Sequence, residues 1–109
     1  MKTQQVTLTT SIVCGAAAQL KRRFTTSAGA TPAAGAWCPG VVDADTDPGQ
    51  QMPVNVAGIV LVTAGAAIAQ DAEVQTDAAG KAITKAAGLA LGRALDAAAA
   101  DGDVIRILR

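Results

Sequence analysis

The sequence predicts an all-β protein, built as a small antiparallel β-sandwich or barrel, β-tulip-like or jelly-roll-like, with at most one short helical turn. Apolar and polar side chains alternate along several segments, which is the period of a strand with one buried face. Glycines interrupt those segments at strand length. Alanine is abundant and favours helices, but the alternation is the stronger signal. Because 109 residues fit one small domain, we expect residues 1–109 to form a single unit.

Two strands are predicted over the first 62 residues. Alternating residues predict a strand over 6–13 and a longer one over 54–62. The uncharged segment 52–69 is long enough to cross a membrane. Its apolar period is two, however, and Gly58 and Gly65 interrupt it, so we expect strand structure and no membrane association.

Four more strands are predicted in the second half. Gly80 ends the turn sequence DAAG and suits a positive φ there, so the strands on either side should form a hairpin. Only residues 94–100 could hold a helical turn, and Gly92 and Gly102 bracket that stretch. The four strands are expected over residues 74–76, 81–84, 89–95 and 104–108.

The predicted core is aliphatic, since only two per cent of the residues are aromatic. In the last strand, Ile105 and Ile107 share one face and Val104 lies on the other. Eight side chains are expected to be mostly buried: Val56, Val60, Val62, Ile83, Leu91, Leu95, Ile105 and Ile107.

Two parts of the chain share a pattern of glycines and aliphatic residues. One copy begins at Gly35 and reaches an alternating strand after Gly49. The other begins at Gly88 and reaches an alternating strand after Gly102. The pattern predicts two strand, loop, strand units that pack as related halves of one antiparallel core.

The composition excludes the usual catalytic groups. The chain has no His and no Tyr, and its only serines are Ser11 and Ser27, so no Ser-His triad can form. Cys14 and Cys38 lack a His partner and C-x-x-C spacing, which argues against zinc and thioredoxin-like chemistry. We expect no enzyme activity, no cofactor and two buried or half-buried free thiols, with a disulfide between them as the open alternative.

Positive and negative charges balance in the sequence. Nine Lys and Arg residues oppose nine Asp and Glu residues, whereas nucleic-acid binding needs a basic face. The only basic run is KRR at 21–23, and beside Phe24 it is more typical of a solvated strand edge. We expect no nucleic-acid partner. The opening MKTQQ lacks the apolar stretch of a secretion signal, so an oxidising compartment is not indicated.

The segment DADTDPG at 43–49 places three aspartates at the first three ligand positions of an EF-hand loop. Pro48 replaces the glycine of the sixth position, and Val54 replaces the glutamate of the twelfth. A turn closed by Pro-Gly is therefore favoured over a calcium site, and no metal ligand is assigned. An enzyme that uses Asp43, Asp45 or Asp47 with a metal is the weakest hypothesis, because the chain has no His.

The second half of the chain resembles a known family. The segment GRALDAAAADGDVIRIL at 92–108, after the DAAG turn at 77–80, is similar to the C-terminal half of tailed-bacteriophage head decoration proteins, also called capsid cement proteins. The segments GIVLV at 58–62 and AGAAIA at 64–69 are similar to the middle of that family. The resemblance covers about residues 40–109 and is weakest over 14–38.

The resemblance implies a structural role. Members of the family bind the outside of an assembled head at symmetry axes and clamp neighbouring major capsid subunits. The implied partners are the major capsid protein and other copies of the chain, as a homotrimer or, second, a dimer. The implied location is the outer capsid surface of a virion assembled in a bacterial cytoplasm. The alternative is a generic β-barrel binding module of a larger viral or cellular assembly.

The expected contacts with capsid or other subunits lie in two regions. Residues 1–12 form a candidate docking strand, because the end segment 3–10 could pair with a capsid element by strand addition. Trp37 is the second candidate anchor, and a plug of the protein's own core is the competing interpretation. The candidate contact residues are Thr3, Gln5, Thr7, Arg22, Phe24 and Trp37.

Overall fold

The computed structural model describes residues 2–109, which form eight β-strands and no helix. The all-β class is confirmed. Residues 2–109 contain no helix that is long and apolar enough to cross a membrane. The strands are β1 (Gln5–Val13), β2 (Phe24–Thr25), β3 (Gly40–Val42), β4 (Gln51–Thr63), β5 (Glu73–Thr76), β6 (Ala82–Thr84), β7 (Gly92–Ala94) and β8 (Val104–Leu108).

The six predicted strands are all present, although the one expected over 89–95 is limited to β7. β2 is not among the predicted strands, and β3 is predicted only as the first strand of the unit that begins at Gly35, because strands of two and three residues are too short to show an alternation. Residues 94–100 form no helical turn. There, Ala98 instead exchanges two backbone hydrogen bonds with Ile68, at 3.0 and 2.9 Å.

The hairpin predicted around Gly80 is confirmed. β5 and β6 pair in antiparallel register, and the Asp77 N–H donates to the Lys81 carbonyl at 2.8 Å. Gly80 has φ 81°, a conformation that strains any residue with a Cβ. The Asp77 carboxylate also accepts the backbone N–H groups of Ala79 and Lys81, which fixes the turn.

All eight strands belong to one open antiparallel sheet. Its order is β2-β3-β4-β8-β7-β5-β6, and β1 pairs with β4 outside this path. The sheet is neither closed into the expected barrel nor divided into the two sheets of a sandwich. A single hydrogen bond, from the Phe24 N–H to the Gly80 carbonyl at 2.7 Å, joins β2 to the β5-β6 turn, so a continuous ladder does not close the ring.

The long strand β4 organises the fold. Its first half lies between β1 and β3, and its second half pairs with β8. Ile59 pairs with Gln5 of β1 and with Leu108 of β8, so these two strands occupy opposite edges of β4. Gly58 stands beside that junction with φ 102°, and a Cβ there would collide with the carbonyl oxygen of Gln5.

The main core contains side chains from every strand except β1. Five of the eight predicted core residues are buried, and Ile105 and Ile107 are fully so. The prediction is wrong in degree for the other three, which are only half-buried. Val56 lines an open groove, Ile83 lies on the edge strand β6, and Leu95 follows the last residue of β7. Both cysteines are free and buried, so the thiol interpretation is confirmed.

Backbone hydrogen bonds support the internal duplication. Cys14 donates its N–H to the Gln50 carbonyl at 2.8 Å, and Ala64 makes the equivalent bond to Asp103 at 2.7 Å. The first repeat comprises β1, β2, β3 and the first half of β4. The second comprises the second half of β4, β5, β7 and β8, with β6 as an addition. Further equivalent features are Gly49 with Gly102, and the Gln19–Thr46 bridge with the Ile68–Ala98 bridge.

Candidate functional site

β1 is the most exposed strand of the sheet. It has nine residues and a single paired neighbour, β4. None of its residues is buried, and only Val6 and Ile12 are half-buried. Leu8 is 54% exposed and Val13 is 50% exposed. Thr7, Thr9 and Ser11 form a polar face of the strand, and the expected apolar face is interrupted at Thr10.

The expected alternation fails at a local irregularity in β1. The pairing of β1 with β4 shifts register between Val6 and Leu8 and again between Leu8 and Thr9. From Thr9 to Val13 the pairing is regular, residue for residue. The shifts explain why Leu8, which alternates with Val6 and Ile12 in the sequence, lies in solvent.

Few side chains hold β1 to the body. Ile12 packs on a small second cluster formed by Val42, Met52 and Val54. The Thr9 hydroxyl lies 3.1 Å from the Asn55 side-chain oxygen and donates to it. Most of the attachment is therefore the backbone ladder to β4. No strand among residues 2–109 lies on the outer edge of β1, where only Gly29 lies against the Val13 carbonyl.

The candidate contact residues of the N-terminal segment lie where contact is feasible. Thr3, Gln5 and Thr7 are all exposed.

Arg22, the candidate contact residue before β2, is half-buried and has φ 64°, and its backbone joins two elements. Its N–H donates to the Val42 carbonyl at 2.6 Å, and its carbonyl accepts the Thr63 N–H at 2.8 Å.

The structure corrects the expectation for Phe24. This side chain is fully buried in the main core, so it is not an exposed contact. The basic run before it suggested a solvated edge, but the only phenylalanine of the chain is also its largest fully buried side chain. Phe24 buries more apolar area than any single aliphatic side chain of this core, which favours its placement inside.

Trp37 is exposed, as the contact interpretation requires. Its exposed fraction is 58%, which excludes the alternative that it plugs the core of its own subunit. The next residue, Cys38, is fully buried, so the chain turns its indole outward and its thiol inward. Leu89 is 55% exposed, and its backbone N–H donates to the carbonyl of Gly35, two residues before Trp37, at 3.0 Å.

An open groove of about 730 Å³ forms a second surface feature. Its apolar lining includes Val56, Leu91 and Leu108, and its charged lining includes Glu73 and Arg93. Sequence reasoning did not find this groove. The exposure of Leu108 follows from its place on the face of β8 opposite Ile107. The grouping of Val56 of β4, Leu108 of β8 and Arg93 of β7 around one groove is a tertiary property that the sequence pattern does not contain.

Arg109 lies at the end of that groove with its guanidinium largely buried. Nη2 donates to the Cys38 carbonyl at 3.1 Å, whereas Nη1 is buried without a hydrogen-bond partner. Burial lowers the pKa of Arg109. Burial also raises the pKa of the Cys38 thiol to about 11, against a smaller opposite effect of the Arg109 charge. Cys38 is therefore protonated near neutral pH, and a protonated thiol is a poor nucleophile.

The ion pair between Asp96 and Arg106 fixes β8 to the turn after β7. Two hydrogen bonds of 2.9 Å join the carboxylate to the guanidinium, and Asp96 also accepts the Arg106 backbone N–H at 3.0 Å. The side-chain hydrogen bond from Arg106 is the main cause that lowers the pKa of Asp96 to about 2. Both oxygens of the Asp96 carboxylate accept hydrogen bonds from Arg106, so the pair holds the fold together and Asp96 is not placed for proton transfer.

The aspartates of the 43–49 segment have separate protein partners. Asp43 accepts a hydrogen bond from the Gln4 amide, and Asp45 accepts one from the Lys21 backbone N–H. Within residues 2–109, no three Cys, Asp or Glu side chains lie together as potential ligands of one metal ion. Gly49 has φ 83° in the turn, which agrees with the Pro-Gly interpretation.

A family model described as phage cement protein matches residues 2–109. The chain belongs to the phage cement protein family. Its fold is similar to the crystal structure of the head fiber gp8.5 N base of bacteriophage phi29, with a TM-score of 0.75 and 20% identity over 93% of each chain. No curated protein matches. The resemblance drawn from residues 40–109 is confirmed, and the family extends it over 2–39.

Membership gives this cement protein a structural role at the phage capsid, and hence a place in the virion. The exposed strand β1, the outward Trp37 and the groove are the surfaces available for that role.

Proposed function

We propose that this cement protein binds the outer surface of an assembled head and stabilises contacts between neighbouring major capsid subunits, with β1 as its docking strand. The observation that supports this most is the nine-residue edge strand that has one paired neighbour and no buried residue. A strand of this kind can accept a further strand from another protein through main-chain hydrogen bonds.

The chemistry of β1 favours such pairing. Its sequence contains no charged residue and no proline, which are the residues that natural edge strands commonly use to prevent association. Thr3, Gln5 and Thr7 supply exposed hydroxyl and amide groups at the same end. Residues 3–10 therefore form the docking segment, and these three side chains contact the capsid element laid beside it.

Trp37 provides the apolar anchor of the second contact. A large exposed aromatic ring contributes more to an interface than small side chains do, and this chain has one Trp and one Phe. Because Phe24 is buried, Trp37 is left as the aromatic anchor. Arg22 contributes its side chain from a backbone position fixed by Val42 and Thr63.

The protein acts as a homotrimer, with a dimer as the alternative. A subunit with so few large anchors binds the shell weakly by itself. Several copies joined together engage several capsid subunits at once, which raises the overall affinity without any new contact.

Deletion of residues 1–9 tests the docking strand. The main core contains no β1 residue, so the shortened protein should fold and bind heads that lack the cement protein about tenfold more weakly or worse. Sedimentation with such heads measures binding, and circular dichroism measures folding. Thr84→Ala, on the exposed edge strand β6, is the control and should bind like the unmodified protein. Unchanged binding by a folded deletion variant would remove β1 from the interface.

A further inference from the structure

The two repeats are joined by a contact between a turn of the first and an edge of the second. The turn at 19–23 contains Arg22, whose carbonyl accepts the Thr63 N–H at 2.8 Å. Thr63 is the last residue of β4, and its N–H points away from β8. The outer edge of the second-repeat strand is therefore covered by the first-repeat turn.

Each partner in this contact has an equivalent in the other repeat. Arg22 corresponds to Asp71, because Arg22 donates its N–H to Val42 and Asp71 donates its N–H to Ala94 in the same way. Arg22 and Asp71 are also the two non-glycine residues with positive φ among those described, at 64° and 70°. The turn at 68–72 is thus the second-repeat copy of the turn at 19–23.

Thr63 corresponds to Val13 by the same comparison. Thr63 pairs with Val104 in the second repeat, as Val13 pairs with Gln51 in the first. The N–H of the following residue, Cys14, bonds toward the start of β4. Successive N–H groups of a strand point to opposite edges, so the Val13 N–H points to the outer edge of β1.

Among residues 2–109, the equivalent contact between Asp71 and Val13 is not made. The Asp71 carbonyl accepts only a surface hydrogen bond from the Arg93 guanidinium, at 3.1 Å. Asp71 and its neighbours Ala69 and Gln70 are exposed, and Val13 is 50% exposed. The chain therefore exposes a donor at Val13 and an acceptor at Asp71 that are equivalent to the bonded Thr63 and Arg22 groups.

We propose that a second copy of this chain completes it, with the 68–72 turn of one copy seated on the outer edge of β1 of the next, and the Val13 N–H donating to the Asp71 carbonyl. Such a contact joins two different surfaces, so copies associate head to tail and close into a ring. This inference rests on the self-association in the proposed function and specifies its interface. It uses the Val13 end of β1 and leaves residues 3–10 free for the capsid.

Val13→Pro is the direct test, with Ser11→Pro as its matched control. Proline at position 13 removes the outward N–H and leaves the ladder to β4, which does not use that group. Ser11 also points its N–H outward but lies outside the proposed contact. In sedimentation equilibrium of the isolated protein, Val13→Pro should weaken self-association by about tenfold, and Ser11→Pro should leave it unchanged.

A cross-link keeps the test decisive if Val13→Pro does not fold. Val13→Cys mixed with Gln70→Cys should give intermolecular disulfides under mild oxidation, and each variant alone should give few. The native thiols are buried and do not compete. A monomeric unmodified protein, an oligomer that survives Val13→Pro, or failure of the mixed variants to cross-link would each overturn the inference. Loss of head binding on deletion of residues 1–9 is read separately, so the two proposals can fail independently.

Discussion

β1 and β8 are both antiparallel partners of β4, on opposite edges, yet they differ in almost every other respect. β8 buries Ile105 and Ile107 in the main core, while Val104 and Arg106 on its other face are half-buried and Leu108 is exposed. β1 buries none of its nine residues. Both strands form the same antiparallel hydrogen-bond ladder with β4, so their different burial comes from what lies on the far side of each strand. β8 has β7 on its far side, whereas no strand of the described part of the chain lies on the far side of β1.

The comparison separates stability from docking. Burial of apolar area supplies most of the free energy of folding, so β8 is a core strand. β1 contributes little apolar burial and keeps its hydrogen-bonding edge available. A cement protein needs both kinds of strand, because it must remain folded while it offers groups to a partner.

Truncation of the β8 side chains should have the largest effect. Ile105→Ala and Ile107→Ala should each lower the free energy of unfolding by about 2 to 5 kcal/mol, because each leaves a cavity in a fully buried site. Val104→Ala, on the opposite and half-buried face, should cost clearly less. Urea denaturation measures all three. Equal and small losses would mean that β8 does not line the core.

The sequence predicted β8 better than β1 for a physical reason. In β8, Ile105 and Ile107 share one face and Val104, Arg106 and Leu108 the other, and the register with β4 is uninterrupted. In β1 the alternation of Val6, Leu8 and Ile12 is equally clear, but two register shifts place Leu8 in solvent. Such shifts depend on how Gly58 meets Gln5, which is a tertiary property.

Phe24 and the groove show the same limit. A two-residue strand has no period, so the burial of Phe24 was not readable beside a basic run. The groove combines residues of β4, β8 and β7, and the Arg109 guanidinium beside it donates to the Cys38 carbonyl, so both features depend on tertiary structure. In contrast, the duplication, the Gly80 hairpin and the exposed end segment follow from local patterns and were predicted.

A change at Gly58 should sharpen the comparison from the β1 side. Gly58→Ala should lower the free energy of unfolding by about 1 to 3 kcal/mol and weaken head binding, because its Cβ would displace the Gln5 end of β1. Gly49→Ala is the control, since Gly49 also has positive φ but open space around it. The excess loss in Gly58→Ala over Gly49→Ala, in denaturation and sedimentation, measures the β1 contact. Equal losses would mean that only backbone strain was changed.

The Asp96–Arg106 pair should give β8 a small pH dependence. Because the pKa of Asp96 is lowered from 3.8 to about 2 in the folded protein, the pair stabilises the fold above pH 3.8 and loses this contribution as the pH falls toward 2. Asp96→Asn should remove less than about 1 kcal/mol near neutral pH, since water screens the partly exposed Arg106. The urea denaturation midpoint should therefore depend less on pH, between pH 5 and 2, in Asp96→Asn than in the unmodified protein. An unchanged pH profile would contradict this assignment.

The control for that pair is the exposed ion pair between Lys81 and Asp101. Its N–O distance is also 2.9 Å, but the Asp101 side chain is 63% exposed. Asp101→Asn should therefore change the midpoint too little to measure. A loss as large as that of Asp96→Asn would show that the bidentate geometry of the β8 pair adds nothing.

Amide hydrogen exchange, with and without heads, tests the central claim most directly. In the free protein, residues 3–10 should exchange quickly and residues 104–108 slowly, because one strand has an open edge and the other is held between β4 and β7. Binding to heads that lack the cement protein should slow exchange over 3–10 by about tenfold or more and leave 104–108 unchanged. Unaltered exchange over 3–10 at saturating heads would contradict the account of β1 as the docking strand.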